Sequence, residues 1–247
     1  MKYKEYGSKD KPLILLLHGG GLSWWNYKEV AEFMKNDYHI ILPILDGHAG
    51  SDYPFTTIEN NAMEILSFLD GINKEVLLIG GLSLGGQIVV EMLSKRKDIC
   101  KYALIESASV LPSPLINACI SLAINSTYGL IQNRYFSKLQ FHSLHIKKEF
   151  FEDYYRDTCL IQKEDMIAFL KGNTIFKLKN SFKESLAKIC IYVGEKEIGK
   201  IKQSAEIMHR MHPSSQLNYL PNLKHGEFSI NYPEQYADAI YRITRGE

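Results

Sequence analysis

The strongest constraint on the fold is an alternation of short apolar runs with longer amphipathic ones. The short runs carry apolar side chains at consecutive positions, which is typical of strands buried on both faces. The longer runs have apolar residues three or four positions apart, which predicts helices that pack by one side. A chain that repeats strand and helix in this order is predicted to form an α/β fold, with a mostly parallel, doubly wound sheet covered by helices on both faces.

These runs place the predicted elements along the chain. The predicted strands are Leu13–Leu17, His39–Leu45, Glu75–Gly80, Tyr102–Ile105, Ile189–Val193 and Gln216–Leu220. The helices predicted between and after them are Trp25–Lys35, Ile58–Leu69, Gly86–Lys95, Ile201–Met211 and Pro233–Ile243. In such a sheet, ligands gather beyond the carboxyl ends of the strands, so functional residues are expected on the loops that follow them.

The alternation stops between Ser107 and Leu186, where no buried strand is recognisable. Helix-like segments follow one another there instead, at Leu115–Ile124, Lys147–Tyr155 and Lys163–Leu170. We therefore expect a core built from residues 1–106 and 187–247, and a helical cap insertion, residues 107–186, that lies over the sheet.

Composition narrows the class of protein. A chain of 247 residues with 45% hydrophobic residues is long and apolar enough for one α/β domain with an insertion. Its 29 basic residues nearly balance its 28 acidic ones, and no stripe of Lys and Arg interleaves with aromatic residues. Nucleic acid is therefore not expected as a partner.

The cysteines and the amino-terminal segment bear on location. Cys100, Cys119, Cys159 and Cys190 are scattered without a C-x-x-C pair, which favours reduced thiols and the cytoplasm. The opening MKYKEYGSKDKP lacks a long apolar segment and a small-residue cleavage site, and Leu13–Leu17 is too short to span a bilayer. We expect a cytoplasmic protein without stable membrane insertion.

A serine between glycines is the leading candidate nucleophile. In VLLIGGLSLGGQIVVEML, the residues Gly81-Leu82-Ser83-Leu84-Gly85 fit G-x-S-x-G, with a predicted strand before them and a predicted helix after them. A serine on such a corner exposes its hydroxyl in a strained backbone conformation, and the amino end of the helix favours negative charge beside it. The pattern predicts acyl chemistry with an anionic intermediate.

A serine hydroxyl needs a base, and the base needs a carboxylate that orients it. His225 in LPNLKHGEF follows the last predicted strand and is the best-placed histidine. Glu195 and Glu197 in IYVGEKE follow the preceding strand at the same edge of the sheet, so both are candidate acids.

These motifs resemble those of the α/β-hydrolase superfamily over nearly the full chain. The matching segments are LLLHGGG, DGHAGSD, GLSLGG, GEKE and a histidine before the final helix, in the family's order of serine, acid and histidine. The resemblance implies that Ser83 is the nucleophile, that His225 is the base, and that the N–H groups of Leu84 and Gly20 form the oxyanion hole, with Gly21 as a further candidate donor.

The identity of the acid is the one departure from the family pattern. Glu197 stands where the family's Gly-Glu-x-Asp pattern has its Asp, with Glu195 nearby and Glu106 at the end of another strand as alternatives. The resemblance implies a cofactor-free esterase or lipase-like hydrolase acting on a small acyl substrate.

Other activities with the same three residues stay open, namely thioesterase, lactonase, carbon–carbon bond hydrolase and cofactor-free haloperoxidase. A ligand receptor with a slow hydrolase-like site is the alternative from another class. The serine argues against members that use Asp at this corner, which include epoxide hydrolases.

Other conspicuous residues have structural explanations of equal or greater weight. Trp24 and Trp25 either line an acyl pocket or pack the helix that they begin. His18 and His48 are expected to fix loops at the rim of the site. The histidine pairs at helical spacing lack a third ligand at fitting distance, so no metal is expected.

Overall fold

The computed structural model describes residues 1–245, and its centre is one seven-stranded sheet with the order β1-β3-β2-β4-β5-β6-β7. Only β1 runs antiparallel to its neighbour, and the other pairs are parallel. The strands are β1 Tyr3–Tyr6, β2 Leu13–Leu17, β3 His39–Pro43, β4 Val76–Leu82, β5 Tyr102–Glu106, β6 Lys188–Gly194 and β7 Gln216–Leu220. The expected doubly wound α/β fold is thereby confirmed.

Helices cover both faces of this sheet. The α-helices are α1 Lys28–Met34, α2 Ile58–Ile72, α3 Leu84–Lys95, α4 Pro114–Thr127, α5 Arg134–Ser143, α6 Phe151–Leu160, α7 Lys163–Ile175, α8 Gly199–Met211, α9 Glu227–Asn231 and α10 Pro233–Arg245. Short 3₁₀ helices lie at Trp24–Tyr27, Tyr128–Leu130, Lys148–Phe150 and Asn180–Glu184. None of the helices in residues 1–245 is long and apolar enough to cross a membrane.

The two faces of the sheet bury separate hydrophobic clusters. Along β2, Leu13, Leu15 and Leu17 belong to the cluster that includes α2, α3 and α8. Ile14 and Leu16 belong to the opposite cluster, with α1 and α10. Because successive side chains of a strand point to opposite faces, a strand covered on both sides must be apolar throughout. This requirement explains the unbroken apolar runs in the sequence.

The segment between β5 and β6 is helical, as expected. It contains α4, α5, α6 and α7, together with three of the 3₁₀ helices. Two of these elements differ from the prediction. The predicted helix Lys147–Tyr155 divides into the 3₁₀ turn Lys148–Phe150 and α6, and α5 was not predicted.

The parallel strands bring four loops to one edge of the sheet. The glycine loop follows β2, the candidate nucleophile follows β4, GEKE lies at the end of β6, and the loop with His225 follows β7. Neighbouring strands are in register there, with Leu17 opposite Gly81 and Leu82 opposite Glu106. Distant parts of the sequence therefore meet at the carboxyl ends of the strands.

Candidate active site

Ser83 lies on a strained turn between β4 and α3. Its φ of 52° and ψ of −109° lie in a region that side chains rarely adopt, and its N–H donates to the Glu106 carbonyl at 2.9 Å. The turn is so tight that a Cβ at Gly85 would approach the Leu17 carbonyl oxygen to 2.1 Å. A Cβ at Gly81 would be 2.4 Å from the Gly85 carbonyl oxygen. Glycine is therefore required at both flanks of the serine.

Two backbone N–H groups near Ser83 are available to an oxyanion. Leu84 is the first residue of α3, where an N–H has no acceptor within the helix. The Gly20 N–H likewise has no acceptor within residues 1–245. A side chain at Gly20 would meet Leu84 at 3.4 Å, so the glycine loop and the start of α3 are in contact.

The structure corrects the expectation for Gly21. Its N–H donates to His48 Nε2 at 3.0 Å, so it is occupied within the protein. Gly21 also has a φ of 75°, which lies in the left-handed region that favours glycine. Of the glycine-loop donors, Gly20 is the one left for an oxyanion.

His225 and Glu197 meet across the loops that follow β7 and β6. Nδ1 of His225 lies 2.8 Å from Glu197 Oε2, while the His225 side chain is 48% exposed. Neither of the other two carboxylates takes this position. Glu195 is exposed and accepts from the Asn222 N–H, and Glu106 Oε1 accepts from the Ser229 N–H.

Glu197 is held by donors other than the imidazole. Its Oε1 accepts from the Ser107 hydroxyl at 2.5 Å and from the Gly194 N–H at 3.1 Å. Burial raises the pKa of Glu197, but the hydrogen bonds and charge of His225, with those of Ser107 and Gly194, outweigh that effect and hold the pKa below its ordinary value. An ionised carboxylate is therefore present to orient the imidazole.

Ser83 and His225 share an edge without being hydrogen-bonded to each other. Among the described residues, the Ser83 hydroxyl has no hydrogen bond to the His225 ring. Gly226, next to His225, packs against Leu82, next to Ser83, so that a Cβ at Gly226 would lie 3.3 Å from the Leu82 side chain. Catalytic hydrogen bonds are often long before substrate binds, and they shorten in the reacting complex.

Glu106 is buried below these groups, at the end of β5. Burial raises its pKa to about 7, hydrogen bonds from Ser229 lower it, and the nearby charges of Glu197 and His225 act in opposite directions. Its Oε2 has no hydrogen-bond partner within residues 1–245. Within residues 1–245, Glu106 is therefore a second carboxyl beside the site that has no hydrogen bond to the imidazole.

His18 and His48 are loop-fixing residues by their contacts. His18 Nδ1 donates to the Gly19 carbonyl, and its Nε2 accepts from the Leu45 N–H at 3.1 Å. Burial lowers the pKa of both rings, to about 4 in His48. Both are neutral and engaged, which suits a structural role.

The contacts of Trp24 and Trp25 are those of packing side chains. Trp25 is fully buried, stacks on Phe150 at 5.5 Å between ring centroids and donates from Nε1 to Asp157 at 2.9 Å. Trp24 lies beneath the ammonium of Lys4. Of the two interpretations of these residues, the structure favours the packing one.

Three residues near the site were missed in the sequence. Ser107 directly follows β5, and that position at the edge of the sheet was the one available signal. Asn26, which accepts from the Gly19 N–H, and Phe169, whose ring lies against Gly20, carry no motif. The contact of Phe169 joins segments far apart in the chain, and no local pattern predicts either contact.

Comparisons with known proteins identify the family of the chain. The sequence profile of the alpha/beta hydrolase family matches residues 14–239. The chain is 27% identical over 111 residues to epoxide hydrolase 3 of Xenopus tropicalis, a match that spans 43% of this chain and 30% of that protein.

Solved structures of similar fold cover nearly the whole chain. An esterase from Thermogutta terrifontis superposes with a TM-score of 0.80 at 19% identity, covering 99% of this chain and 93% of its own. The enol-lactonase from Burkholderia xenovorans LB400 gives 0.81 at 12% identity, with 100% and 96% covered. At such identities the likeness shows the fold alone, whereas the profile match spans most of the sequence. The chain belongs to the alpha/beta hydrolase family.

Proposed function

We propose that the protein is a serine hydrolase that cleaves a carboxylic ester or a related acyl compound through a Ser-His-Glu triad. The observation that carries the proposal is the 2.8 Å contact between His225 Nδ1 and the buried Glu197 carboxylate, on loops beside the strained Ser83. Such a pair leaves His225 Nε2 free to take a proton, and Ser83 supplies the hydroxyl that needs a base.

The first half-reaction forms an acyl-enzyme. Ser83 Oγ attacks the carbonyl carbon while its proton passes to His225 Nε2. The oxygen of the tetrahedral intermediate then accepts hydrogen bonds from the N–H groups of Gly20 and Leu84. Collapse of the intermediate breaks the bond to the leaving group, which takes the proton from His225.

Water completes the cycle by the same steps. His225 removes a proton from a water molecule that attacks the acyl carbon, and the proton returns to Ser83 Oγ as the acid product leaves. Glu197 keeps the imidazole in the tautomer with a proton on Nδ1, and it stabilises the imidazolium cation. Ser107 and Gly194 keep Glu197 in place through their hydrogen bonds to Oε1.

Several substrate classes fit the same machinery. Hydrolysis of a thioester, of a lactone or of a carbon–carbon bond next to a carbonyl proceeds through an oxyanion intermediate in each case. The triad alone therefore does not tell these reactions apart. The similarity to an epoxide hydrolase does not carry that activity here, because Ser83 occupies the corner where Asp serves in that group. A panel of esters of increasing acyl length, run beside a thioester, identifies the class. A ligand that binds tightly but is hydrolysed at a negligible rate would indicate a receptor instead of an enzyme.

The central test is the effect of Ser83→Ala on turnover of chromogenic esters by the purified protein. We expect turnover to fall by several orders of magnitude, and a serine-directed phosphonate to label Ser83. Full activity in the variant, or labelling of another residue, would falsify the assignment.

A second pair of variants tests the acid. Glu197→Gln is expected to slow turnover by orders of magnitude with little change in KM, because the imidazole loses its orienting charge. Glu106→Gln is the matched control, since that carboxyl is also buried but, among the described residues, has no hydrogen bond to the imidazole. If Glu106→Gln has the large effect and Glu197→Gln does not, the acid is misassigned.

The proposal extends to the location and the partners of the protein. The scattered cysteines predict the cytoplasm, which fractionation of the source cells would test. A small acyl molecule is the proposed partner, without nucleic acid.

A further inference from the structure

The Gly20 N–H lies between two peptide groups that buried side chains hold in place. The Gly19 N–H donates to Asn26 Oδ1 at 3.1 Å, and the Gly21 N–H donates to His48 Nε2 at 3.0 Å. Asn26 is 2% exposed and His48 is 3% exposed. Both neighbours of the Gly20 N–H are therefore fixed, while within residues 1–245 that N–H itself has no acceptor.

The hydrogen bonds of the His48 ring define its tautomer. Nδ1 donates to the Asp46 carbonyl at 3.0 Å, which leaves Nε2 of a neutral ring as the acceptor that the Gly21 N–H needs. Burial, which lowers the pKa of His48 to about 4, keeps the ring neutral near pH 7. The ring also stacks on Phe169 of α7 at 4.6 Å between centroids, so the helical segment helps to hold it.

The amide of Asn26 is oriented from its other end. Its Nδ2 donates to Ser229 Oγ at 3.3 Å, and the Ser229 N–H donates to Glu106 Oε1 at 3.3 Å. Ser229 lies on α9, four residues after His225, and Glu106 ends β5. The glycine loop is thereby joined to α9, which follows the loop with His225, and to β5, which lies beside the strand that Ser83 follows.

We propose that Asn26 and His48 are positioning residues, which aim the Gly20 N–H at the oxygen of the tetrahedral intermediate. This inference rests on the proposed function, because it gives the Gly20 N–H an oxyanion to bind. Loss of one oxyanion donor costs about a hundredfold or more in kcat, and a small misplacement costs a part of that. Removing the hydrogen-bond acceptor of either the Gly19 or the Gly21 N–H is expected to lower kcat by about tenfold to a hundredfold.

The effect should fall on kcat and not on KM, because the N–H contact strengthens only as negative charge develops on the oxygen. A trifluoromethyl ketone provides a second measurement. Ser83 Oγ adds to its carbonyl carbon, the serine proton passes to His225, and the ketone oxygen becomes an oxyanion. Its affinity should fall in parallel with kcat, whereas a neutral amide analogue of the substrate should bind as before.

The variants are Asn26→Leu and His48→Leu, which remove each acceptor at similar volume. His48→Gln keeps an acceptor and should recover part of the lost kcat. Ser204→Ala is the matched control, because Ser204 is also buried and accepts from a backbone N–H, that of Val110, away from Gly20. If a leucine prevents folding, Asn26→Ala and His48→Ala replace the two variants.

Crystal structures of the variants separate this inference from the proposed function. We expect the Gly19–Gly21 peptides to move while Ser83, Glu197 and His225 stay in place. An unmoved loop overturns the inference, and so does a moved loop with wild-type kcat and ketone affinity. If turnover survives Ser83→Ala, the proposed function fails, and the oxyanion role of Gly20 fails with it. If turnover needs Ser83 but not the two acceptors, only the positioning role fails.

Discussion

Ser107 combines two features that its sequence position alone does not reveal. Its φ of 56° lies in the left-handed region, and its hydroxyl donates to Glu197 at 2.5 Å. Hydrogen bonds to charged groups contribute about 1.5–3 kcal/mol, so the hydroxyl is a substantial part of what holds the carboxylate. We expect Ser107→Ala to lower kcat/KM by about tenfold, measured with a chromogenic ester.

Ser107→Gly separates the hydroxyl from the backbone strain. Glycine also lacks the hydroxyl but adopts a positive φ without a steric penalty. Both variants should therefore be slow, while the glycine variant should be the more stable of the two to urea. A glycine variant with wild-type kcat/KM would mean that the hydroxyl does not matter to the reaction.

Glu106 predicts a specific dependence of stability on pH. Its pKa rises on folding from its ordinary value of 4.5 to about 7, because burial disfavours the charged form of the carboxyl. Between those two values the folded state binds more protons than the unfolded state, so the free energy of unfolding falls as pH rises and then levels off. The decrease from this group amounts to about 3 kcal/mol.

Glu106→Gln removes this titration. The stability of the variant relative to wild type should rise by about 3 kcal/mol between pH 4.5 and 7, measured by urea unfolding. Ser204→Ala, a change at a buried side chain that does not titrate, should run parallel to the wild-type curve. Parallel curves for wild type and Glu106→Gln would show that Glu106 does not gain a proton on folding.

At the residue scale, motifs in the sequence predicted the side chains that the structure brings to one edge of the sheet. Ser83 is marked by its glycines, and His225 and Glu197 by their places after strands. Asn26 carries no such mark and Ser107 only its place after a strand, because their roles depend on hydrogen bonds to Gly19 and Glu197 that no motif predicts. The hydrogen bond from the Gly21 N–H to His48 could not be predicted for the same reason.

At the scale of elements, burial decided which strands could be predicted. The six buried or partly buried strands have apolar runs that differ from the observed bounds by at most two residues at either end. β1, with the sequence YKEY, was missed because it is an exposed edge strand held mainly by backbone pairing to β3. A strand without a buried face leaves no apolar pattern.

The helices between β5 and β6 were predicted less well, for a related reason. α5 has only two buried residues, Ser137 and Phe141, so its apolar stripe is weak. The segment is fixed to the rest of the chain by contacts that sequence does not show, such as the bond from Trp25 to Asp157 of α6.

At the scale of the whole molecule, the helical segment contributes to both hydrophobic clusters. One cluster takes Ile161, Met166, Phe169, Phe176 and Phe182 from it. The other takes Phe141, Phe150, Phe151 and Tyr154. Each cluster also contains the strands of the central sheet. The proposed division into a core, residues 1–106 and 187–247, and a cap, residues 107–186, therefore describes the path of the chain, while both parts share their buried surfaces.

Shared hydrophobic clusters predict that cap and sheet unfold together. Removing the cap from the sheet would expose apolar side chains on both parts, so the partly unfolded state is unfavourable. Trp25 reports on the junction, because its ring stacks on Phe150. Tryptophan fluorescence and far-UV circular dichroism should therefore give one coincident transition in urea. A fluorescence transition at lower urea, with part of the dichroism retained, would mean that the cap leaves first and that the two parts fold as separate units.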